Sequence, residues 1–236
     1  MPNPQLTELL PSADQKAVFV RTMFDRIAPQ YDTLNRLFSF RLDQSWRRKT
    51  IRSVAVTAQD VVVDLACGTG DLSELAAQTG SHVVGVDFSG KMLAGARRRG
   101  INALFVQADA GCVPLPDASV TVVLSGFALR NFVSIPIVLA EAARVLTSGG
   151  RLALLEVDTP ANPLLRWGHQ IYFNRVVPFL GSLLSDRQAY AYLPRSVSYL
   201  PSWAEFLSLI ERAGFSRVSR RQLSGGIAQL IVAYRE

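Results

Sequence analysis

Three aspartates each close an apolar run of the sequence, and this pattern could bind a small polar cofactor. Asp64 follows three valines, Asp87 closes the run that starts at His82, and Asp109 closes the run that starts at Leu104. Runs this rich in β-branched residues are typical of buried strands. Because the carboxyl ends of parallel strands share one edge of a sheet, we expect the three acids to lie there together. The alternative is that they are ordinary strand-end or helix-capping aspartates.

The segment after the first acid, Ala66-Cys67-Gly68-Thr69-Gly70-Asp71, predicts a glycine turn that leads into a helix. Glycines allow a sharp turn and leave room for a ligand to approach the main chain. A dinucleotide fingerprint would add a third glycine and an uncharged helix start for the pyrophosphate. Here the third glycine is absent and Asp71 brings negative charge. A cationic cofactor without phosphate fits better, and S-adenosylmethionine (SAM), with its sulfonium and amino groups, is the candidate.

Composition places the chain among large-core globular proteins. Its 236 residues are 49% hydrophobic, which predicts one domain or one domain with an insertion. No uncharged apolar run reaches about 18 residues, so no transmembrane helix is expected. There is no signal-peptide pattern, and the two cysteines do not make a disulfide framework, so we predict a cytoplasmic location. Two histidines without a cysteine pair argue against a zinc site, and no metal is predicted.

The net charge of +6 permits an anionic membrane surface or a nucleic acid as partner. The basic clusters Arg47-Arg48-Lys49 and Arg97-Arg98-Arg99 are short and lie on predicted helices. A solvated helix face explains them equally well. Since no recognised RNA-binding motif is present, we expect no nucleic-acid partner.

The central part of the chain alternates predicted strands and helices. The strands span 61–65, 82–87, 104–107, 120–125 and 151–157, and the helices span roughly 71–79, 89–99 and 133–146. Gly149-Gly150 is predicted to turn into the last of these strands. The alternation predicts an α/β fold with a doubly wound, mainly parallel sheet. A helix over 202–213 and an antiparallel hairpin over 216–223 and 227–234 complete it.

Two segments lie outside this alternation. Residues 1–60 form an N-terminal unit with a loose arm to about residue 15, a helix from Lys16 that Pro29 ends, and a helix that runs through Trp46 to about Val56. The segment 158–200 is very apolar and interrupted by prolines, which predicts a helical lid over the active site. An apolar lid on a basic protein favours a greasy substrate met at a membrane surface. The alternative is a lid that packs on its own domain. The predicted division is therefore 1–60, the cofactor-binding core 61–157, the lid 158–200 and the completing segment 201–236.

Several segments resemble one family. The run Asp64–Asp71 resembles the first motif of class I SAM-dependent methyltransferases. Phe24-Asp25-Arg26-Ile27-Ala28-Pro29-Gln30-Tyr31-Asp32 resembles the N-terminal signature of the ubiquinone/menaquinone biosynthesis C-methyltransferases of the UbiE/MenG type, and Gly126-Phe127-Ala128-Leu129-Arg130-Asn131 resembles their segment after the fourth strand. The resemblance covers about residues 17–234. It implies a class I Rossmann-like fold and C-methylation of the quinol ring of a polyprenylated quinone precursor.

The sequence also departs from the family pattern. Asp43, Thr147-Ser148, Asp158 and Cys67 stand where the family usually has histidine, lysine-proline, serine and glycine. None of these positions is one of the three acids. A SAM-dependent methyltransferase of another small apolar or phenolic metabolite is therefore the alternative, and a nucleic-acid methyltransferase or a non-catalytic partner protein are more distant ones.

The resemblance implies a catalytic pair, Arg130 and Asn131, beside the substrate ring. Arginine stays cationic, so Arg130 would stabilise a developing phenolate or orient a water that takes the proton, while Asn131 would orient the ring hydroxyl. The alternative is that Arg130 pairs with a nearby acid and holds its loop. Tyr31 and His169 are further catalytic candidates, with Asp32 and Tyr190 behind them. His169 has a pKa suited to a base near neutrality, although a lone histidine among apolar residues is often simply packed.

For the cofactor, we expect Asp87 to bind the ribose, Asp109 with Ala110 to meet the adenine, and Asp64 to orient the methionine end through the glycine turn. The full predicted set is Asp64, Gly68, Thr69, Gly70, Asp87, Phe88, Asp109, Ala110 and Gly126. The predicted partner is a lipophilic quinol, and the sequence allows for peripheral membrane contact and a homodimer.

Overall fold

The fold, a computed structural model, is described for residues 13–184 and 186–236; of these, the side chains of residues 13, 14, 182–184, 187, 188, 190 and 191 are not described. The predicted arm thus lies almost wholly outside the described residues, as does the side chain of Tyr190. The strands are β1 Val61–Leu65, β2 His82–Asp87, β3 Leu104–Gln107, β4 Val120–Gly126, β5 Leu146–Val157, β6 Phe215–Leu223 and β7 Ala228–Arg235. The helices are α1 Ala13–Ile27, α2 Tyr31–Phe38, α3 Leu42–Ser53, α4 Asp71–Ala77, α5 Gly90–Arg98, α6 Ile135–Val145, α7 Pro163–Ile171, α8 Val177–Leu184, α9 Arg187–Ser196 and α10 Trp203–Arg212.

The strands form one seven-stranded sheet in the order β3-β2-β1-β4-β5-β7-β6. The strands from β1 to β5 are parallel, and β7 pairs antiparallel with both β5 and β6. This confirms the predicted class I methyltransferase architecture, with its mainly parallel doubly wound sheet and C-terminal hairpin. The strand order reverses at β1, and ligands of such sheets bind outside the carboxyl ends of the strands at that point.

Successive side chains of the strands point to opposite faces of the sheet and pack into two separate cores, one on each face. Val63 of β1 belongs to the same core as Leu139 of α6 and Ile210 of α10, whereas the preceding Val62 belongs to the other core, which contains Trp46 of α3. Both valines are fully buried. A strand with two buried faces favours consecutive apolar residues, which is why β1 begins with three valines instead of alternating polar and apolar residues before it reaches Asp64.

A third core lies above the sheet edge and joins the two segments outside the alternation. Val20 and Met23 of α1, Met92 of α5, Val177 of α8 and Tyr192 of α9 are all buried in it. The segment 158–200 is helical, as predicted, and its helices α8 and α9 pack on the N-terminal helices.

One segment has a structure that the sequence analysis did not predict, and one predicted turn needs correction. The run Tyr31–Phe38, which had no assigned structure, is the helix α2, and it is joined to α3 by a turn in which Phe40 and Arg41 have positive φ. The predicted Gly149-Gly150 turn lies inside β5, which already begins at Leu146. Leu146 pairs with Val120 and Arg151 pairs with Val122, so the glycines form an irregularity within the strand pair. Positive φ at Gly149 fits such an irregularity.

Candidate active site: two chambers that share a wall

A cavity of about 350 Å³ opens at the carboxyl ends of the parallel strands. Each of the first four strands contributes residues to it from the loop that follows: Gly68 after β1, Phe88 after β2, Ala110 after β3 and Ala128 after β4. Helix α1 covers one side with Ala17, Val20 and Phe24. We call this cavity the cofactor chamber.

Asp87 is fixed at the centre of the chamber by main-chain donors. The N–H of Gly68 donates to Oδ2 of Asp87 and the N–H of Ser89 donates to Oδ1, both at 2.8 Å. Burial raises the pKa of Asp87, and these two N–H groups oppose the rise. Each carboxylate oxygen has a second lone pair, so a buried acceptor is held in place for further donors such as ribose hydroxyls.

The other predicted cofactor residues divide into two groups. Phe88, Asp109, Ala110 and Gly126 line the chamber with Gly68 and Asp87. The Oδ1 of Asp109 accepts from the N–H of Gly111 at 2.7 Å, which fixes its side chain. A Cβ at Gly126 would come within 2.9 Å of Leu72 and 3.2 Å of Arg47, so that position has no space for a side chain.

Asp64 near the end of β1, and Thr69 and Gly70 within the glycine turn, do not line the chamber. Burial raises the pKa of Asp64 to about 7, although Ser73 donates to its Oδ2, and its Oδ1 has no hydrogen-bond partner. The hydroxyl of Thr69 donates to Asp32 of α2. Gly70 has φ +85° and faces Ile101 and Phe105, so it is needed for the turn and for close packing.

The charge argument from Asp71 is also altered by the structure. Asp71 lies among three arginines: Arg99 at 2.8 Å, Arg47 at 3.5 Å and Arg36 at 3.6 Å. Burial alone would raise its pKa, but these cations outweigh burial and the pKa is lowered. Its negative charge is therefore compensated beside the chamber, and the preference for a cationic cofactor rests on the remaining acids.

A second chamber of about 210 Å³ adjoins the first. Helices α1, α2, α3, α7 and α9 and the loops after β4, β5 and β6 line it. Most of its lining is apolar, with a polar group formed by Tyr31, Asn35, Asp43, Arg47, Arg130 and Asn131. Phe24, Tyr31, Phe127 and Asn131 line both chambers and form their shared wall. We call the second cavity the substrate chamber.

Two residues with strained backbone lie at the site, Phe127 in the shared wall and Ala66 in the cofactor chamber. Phe127 has φ +62° and Ala66 has φ +53°, values that bulky or β-carbon-bearing residues rarely adopt. Such residues cost about 1–3 kcal/mol each and cluster at functional sites. At Phe127 the N–H donates to the carbonyl of Leu155 at 2.7 Å, and the ring lies 5.2 Å from the guanidinium of Arg47.

The predicted catalytic pair lies in the substrate chamber. The Nη1 of Arg130 donates to Glu156, a fully buried acid at the end of β5, while the Nε of Arg130 is buried without a partner. The side-chain N–H of Asn131 donates to the carbonyl of Phe127 at 3.4 Å, and its Oδ1 is also buried without a partner. Arg130 therefore pairs with a nearby acid, as the alternative reading expected, and its catalytic role stays a prediction.

Tyr31 on α2 and His169 on α7 both line the substrate chamber. Burial raises the pKa of Tyr31, and the nearby charges of Arg47 and Arg130 oppose the rise. His169 of α7 is half-buried and stacks on Phe173 with ring centroids 5.3 Å apart, and burial lowers its pKa. Asp32 accepts a hydrogen bond from the hydroxyl of Thr69 and lies 3.8 Å from the guanidinium of Arg99, so it joins α2 to the glycine turn.

Asp43, Arg47 and Tyr192 are among the lining residues that sequence reasoning missed. Asp43 and Arg47 are a buried pair one helical turn apart, 3.8 Å from each other, and this spacing beside Trp46 was the available signal. Tyr192 lies on α9, where only tertiary packing brings it to the chamber.

Comparisons with known proteins decide the family. The model of the ubiE/COQ5 methyltransferase family matches residues 11–235. The chain belongs to this family. A relative from Syntrophotalea carbinolica, named ubiquinone/menaquinone biosynthesis C-methyltransferase UbiE, is 42% identical over 89% of this chain and 91% of its own length. A demethylmenaquinone methyltransferase from Thermus thermophilus is 42% identical over 90% of this chain and 100% of its own.

The fold agrees with solved structures. A SAM-dependent methyltransferase from Thermotoga maritima, described as a possible histamine N-methyltransferase, superposes with a TM-score of 0.67 over 92% of this chain and all of its own, at 19% identity. At that identity the likeness concerns the fold alone. With the family membership, the protein is a methyltransferase that takes its methyl group from SAM.

The cofactor chamber fits this donor. Asp87 and Asp109 would hold the ribose and the adenine, and Phe88 would contact the base. The Oδ1 of Asp64, next to the glycine turn, has no hydrogen-bond partner, and its predicted part in orienting the methionine end stays a prediction.

Proposed function

We propose that the protein transfers the SAM methyl group to a ring carbon of a demethylated polyprenyl quinol, either demethylmenaquinol or its benzoquinol counterpart. The proposal depends on the adjacency of the two chambers. Because Tyr31, Phe127 and Asn131 line both, a ring in the substrate chamber would lie next to a methyl donor in the cofactor chamber. The names of the two relatives support the same class of substrate. An apolar chamber with one polar group suits a ring with oxygen substituents and a hydrocarbon tail.

The chemistry requires a stabilised phenolate beside the reacting carbon. When bound, SAM would supply an electrophilic methyl group with S-adenosylhomocysteine as the leaving group, and the methylated ring carbon must then lose its hydrogen as a proton so that the aromatic quinol is restored. The ring carbon becomes nucleophilic when the neighbouring hydroxyl loses its proton. The permanent charge of Arg130 would stabilise that phenolate, and the amide of Asn131 would orient the hydroxyl.

The proton must leave to a group other than Arg130, since an arginine side chain stays protonated in proteins. Burial lowers the pKa of His169, so its imidazole is neutral near pH 7 and can accept a proton directly or through water. Tyr31 has a raised pKa, stays protonated and can donate to a ring oxygen.

The surface around α7 supports membrane contact as the route for a greasy substrate. Large apolar side chains are exposed there, and their exposed fractions are 75% for Leu164, 63% for Trp167 and 72% for Phe40. Phe40 packs on Tyr172 with ring centroids 5.6 Å apart, and both line the substrate chamber. Among the residues described, no helix combines the length and apolar character that crossing a membrane requires. An apolar patch beside the chamber on a chain of net charge +6 suits an anionic bilayer surface.

Vesicle flotation tests the membrane contact. We expect binding to anionic phosphatidylglycerol vesicles, and loss of binding in a Leu164→Gln/Trp167→Ser variant. Leu104→Gln is the matched control, because Leu104 is 71% exposed on β3, remote from α7. Equal flotation of all three proteins would remove the membrane proposal. The cytoplasmic location, the homodimer and the four-part division of the chain also remain proposals.

Methyl transfer from labelled SAM to demethylmenaquinol and to a demethylated benzoquinol tests the proposed function. Transfer to one of them identifies the ring. If SAM binds and neither quinol is methylated, the substrate is another apolar or phenolic metabolite.

A further inference from the structure

Unpartnered buried polar atoms concentrate in the substrate chamber. Within the described part of the chain, five buried side-chain nitrogens or oxygens have no hydrogen-bond partner. One of them, on Asp64, lies next to the glycine turn, and the other four belong to residues that line the substrate chamber. Among these, Nε of Arg47 still has ionic neighbours, Asp71 at 3.5 Å and Asp43 at 3.8 Å. Three further atoms lack a hydrogen-bond partner: Nε of Arg130, whose guanidinium pairs with Glu156 only through Nη1, Oδ1 of Asn131 and the hydroxyl of Tyr192.

Tyr192 differs from the other lid tyrosine in the same chamber. Tyr172 donates its hydroxyl to the carbonyl of Phe38 at 3.0 Å, so that hydroxyl has a structural purpose. The ring of Tyr192 packs against Phe19 of α1 with centroids 5.3 Å apart, and the residue is only 4% exposed. Packing explains the ring but not the hydroxyl, because a buried hydroxyl left unpaired is destabilising.

The three atoms have complementary hydrogen-bonding character. Nε of Arg130 can only donate, the Oδ1 of Asn131 can only accept, and a tyrosine hydroxyl can do both. A phenolic oxygen is the ligand that satisfies them, since its oxygen accepts two hydrogen bonds and its proton can be donated. Burial raises the pKa of Tyr192, with the Arg130 charge opposing, so the hydroxyl keeps its proton as a donor when that oxygen becomes a phenolate.

We propose that Tyr192 is a substrate-binding residue whose hydroxyl, together with Nε of Arg130, binds the ring oxygen next to the carbon that is methylated. This rests on the proposed function for the identity of the ring. It assigns to α9 a direct part in recognition, so that the packing of α9 on α1 also completes the phenolate site.

Ligand discrimination tests the assignment. The probes are 1,4-dihydroxynaphthalene, kept reduced, and naphthalene, each titrated into the protein in the presence of S-adenosylhomocysteine. In the wild type we expect the diol to bind more tightly than the hydrocarbon. In Tyr192→Phe, which keeps the ring contact with Phe19, we expect this preference to fall by about 10- to 30-fold while naphthalene affinity is unchanged. Tyr234→Phe is the control, because Tyr234 lies on β7 under Arg217 and lines neither chamber.

Turnover with the quinol gives the second measurement. For Tyr192→Phe we expect a 10- to 100-fold lower kcat/KM for the quinol, on the order of one lost hydrogen bond to a developing charge, with the KM for SAM unchanged. An undiminished preference for the diol overturns the proposal, and so does an equal loss of affinity for both probes, which a purely structural role would produce. If the wild type methylates no quinol, the proposed function fails, and the two-probe titration still decides the role of Tyr192.

Discussion

The two chambers share a wall, yet different parts of the chain build them. The cofactor chamber is formed mainly by short loops that directly follow four neighbouring strands, and main-chain groups fix its central acid. The substrate chamber collects side chains from Met23 to Ile227, carried by helices that surround the sheet. The first is therefore determined by local turns on a rigid sheet, whereas the second depends on how separate helices pack.

Electrostatics differ in the same way. The acids around the glycine turn, Asp64 and Asp87, are buried, and burial raises the pKa of each. At the substrate chamber, Asp43 of the lining pairs with Arg47, and Glu156, outside the lining, pairs with Arg130, so the arginines of the lining are the groups left with an unpartnered Nε–H. The cofactor chamber thus offers a buried acceptor, Asp87, to hydrogen-bond donors, whereas the substrate chamber suits an oxygen that becomes an anion.

The largest effect is expected for Arg130→Lys, which keeps the charge but removes Nε and the planar guanidinium. Loss of one preorganised donor to a developing oxyanion lowers kcat by about two to three powers of ten. Because Arg130 does not line the cofactor chamber, the dissociation constant of SAM should stay within twofold. Single-turnover methyl transfer and equilibrium SAM binding measure the two quantities. A comparable loss of both would show that the chambers are not separable.

The buried acid Asp64 should make the stability of the protein depend on pH. An unfolded aspartate titrates near 3.9, whereas burial raises the pKa of Asp64 to about 7. Between these values the folded state binds more protons than the unfolded state, so stability falls as pH rises. From pH 5 to 8 this group should remove about 2–3 kcal/mol from the free energy of unfolding, at 1.36 kcal/mol for each pKa unit.

Urea unfolding of the SAM-free protein at pH 5, 6.5 and 8 measures this, beside Asp64→Asn. The variant should lack that part of the fall, so its stability relative to the wild type should rise with pH. Parallel pH dependence of the two proteins would contradict the raised pKa.

The predictability of the two regions from sequence follows the same division. The strands β1 to β4 and the positions of Asp87 and Asp109 follow from apolar runs and strand-end acids, because each signal is contained in a few neighbouring residues. The pairing of Arg130 with Glu156 and the position of Tyr192 have no local signal, since their partners are set by packing between distant elements. Even in the glycine turn, local sequence does not determine every side chain. The turn at Thr69 was predicted, but its hydroxyl points to Asp32 on α2, which no local pattern indicates.

Asp87→Asn is expected to have the next largest effect and to act only in the cofactor chamber. The variant would lack the carboxylate and with it the charge-assisted hydrogen bonds to the ribose. Their loss, typically about 1.5–2 kcal/mol, should weaken SAM binding by about 10- to 30-fold. At saturating SAM, kcat should change little. Isothermal titration with SAM is the measurement, and Asp117→Asn is the control, because that side chain is 79% exposed and pairs with Arg144. Unchanged SAM affinity in Asp87→Asn would leave the ribose assignment without support.

The smallest expected effect belongs to Thr69→Val, and it separates two roles for one residue. If the hydroxyl serves to join α2 to the glycine turn through Asp32, its loss should cost about 1 kcal/mol of stability. It should then speed SAM dissociation a few-fold, because Tyr31 on α2 covers both chambers. Direct contact with the cofactor would instead weaken SAM affinity by tenfold or more without a change in stability. Thr79→Val is the control, since that hydroxyl donates to the carbonyl of Ala76 at 2.8 Å at the far end of α4, where its loss should lower stability alone. Stopped-flow displacement of SAM, measured beside urea unfolding for both variants, therefore decides whether the loop and the helical cover act as one unit.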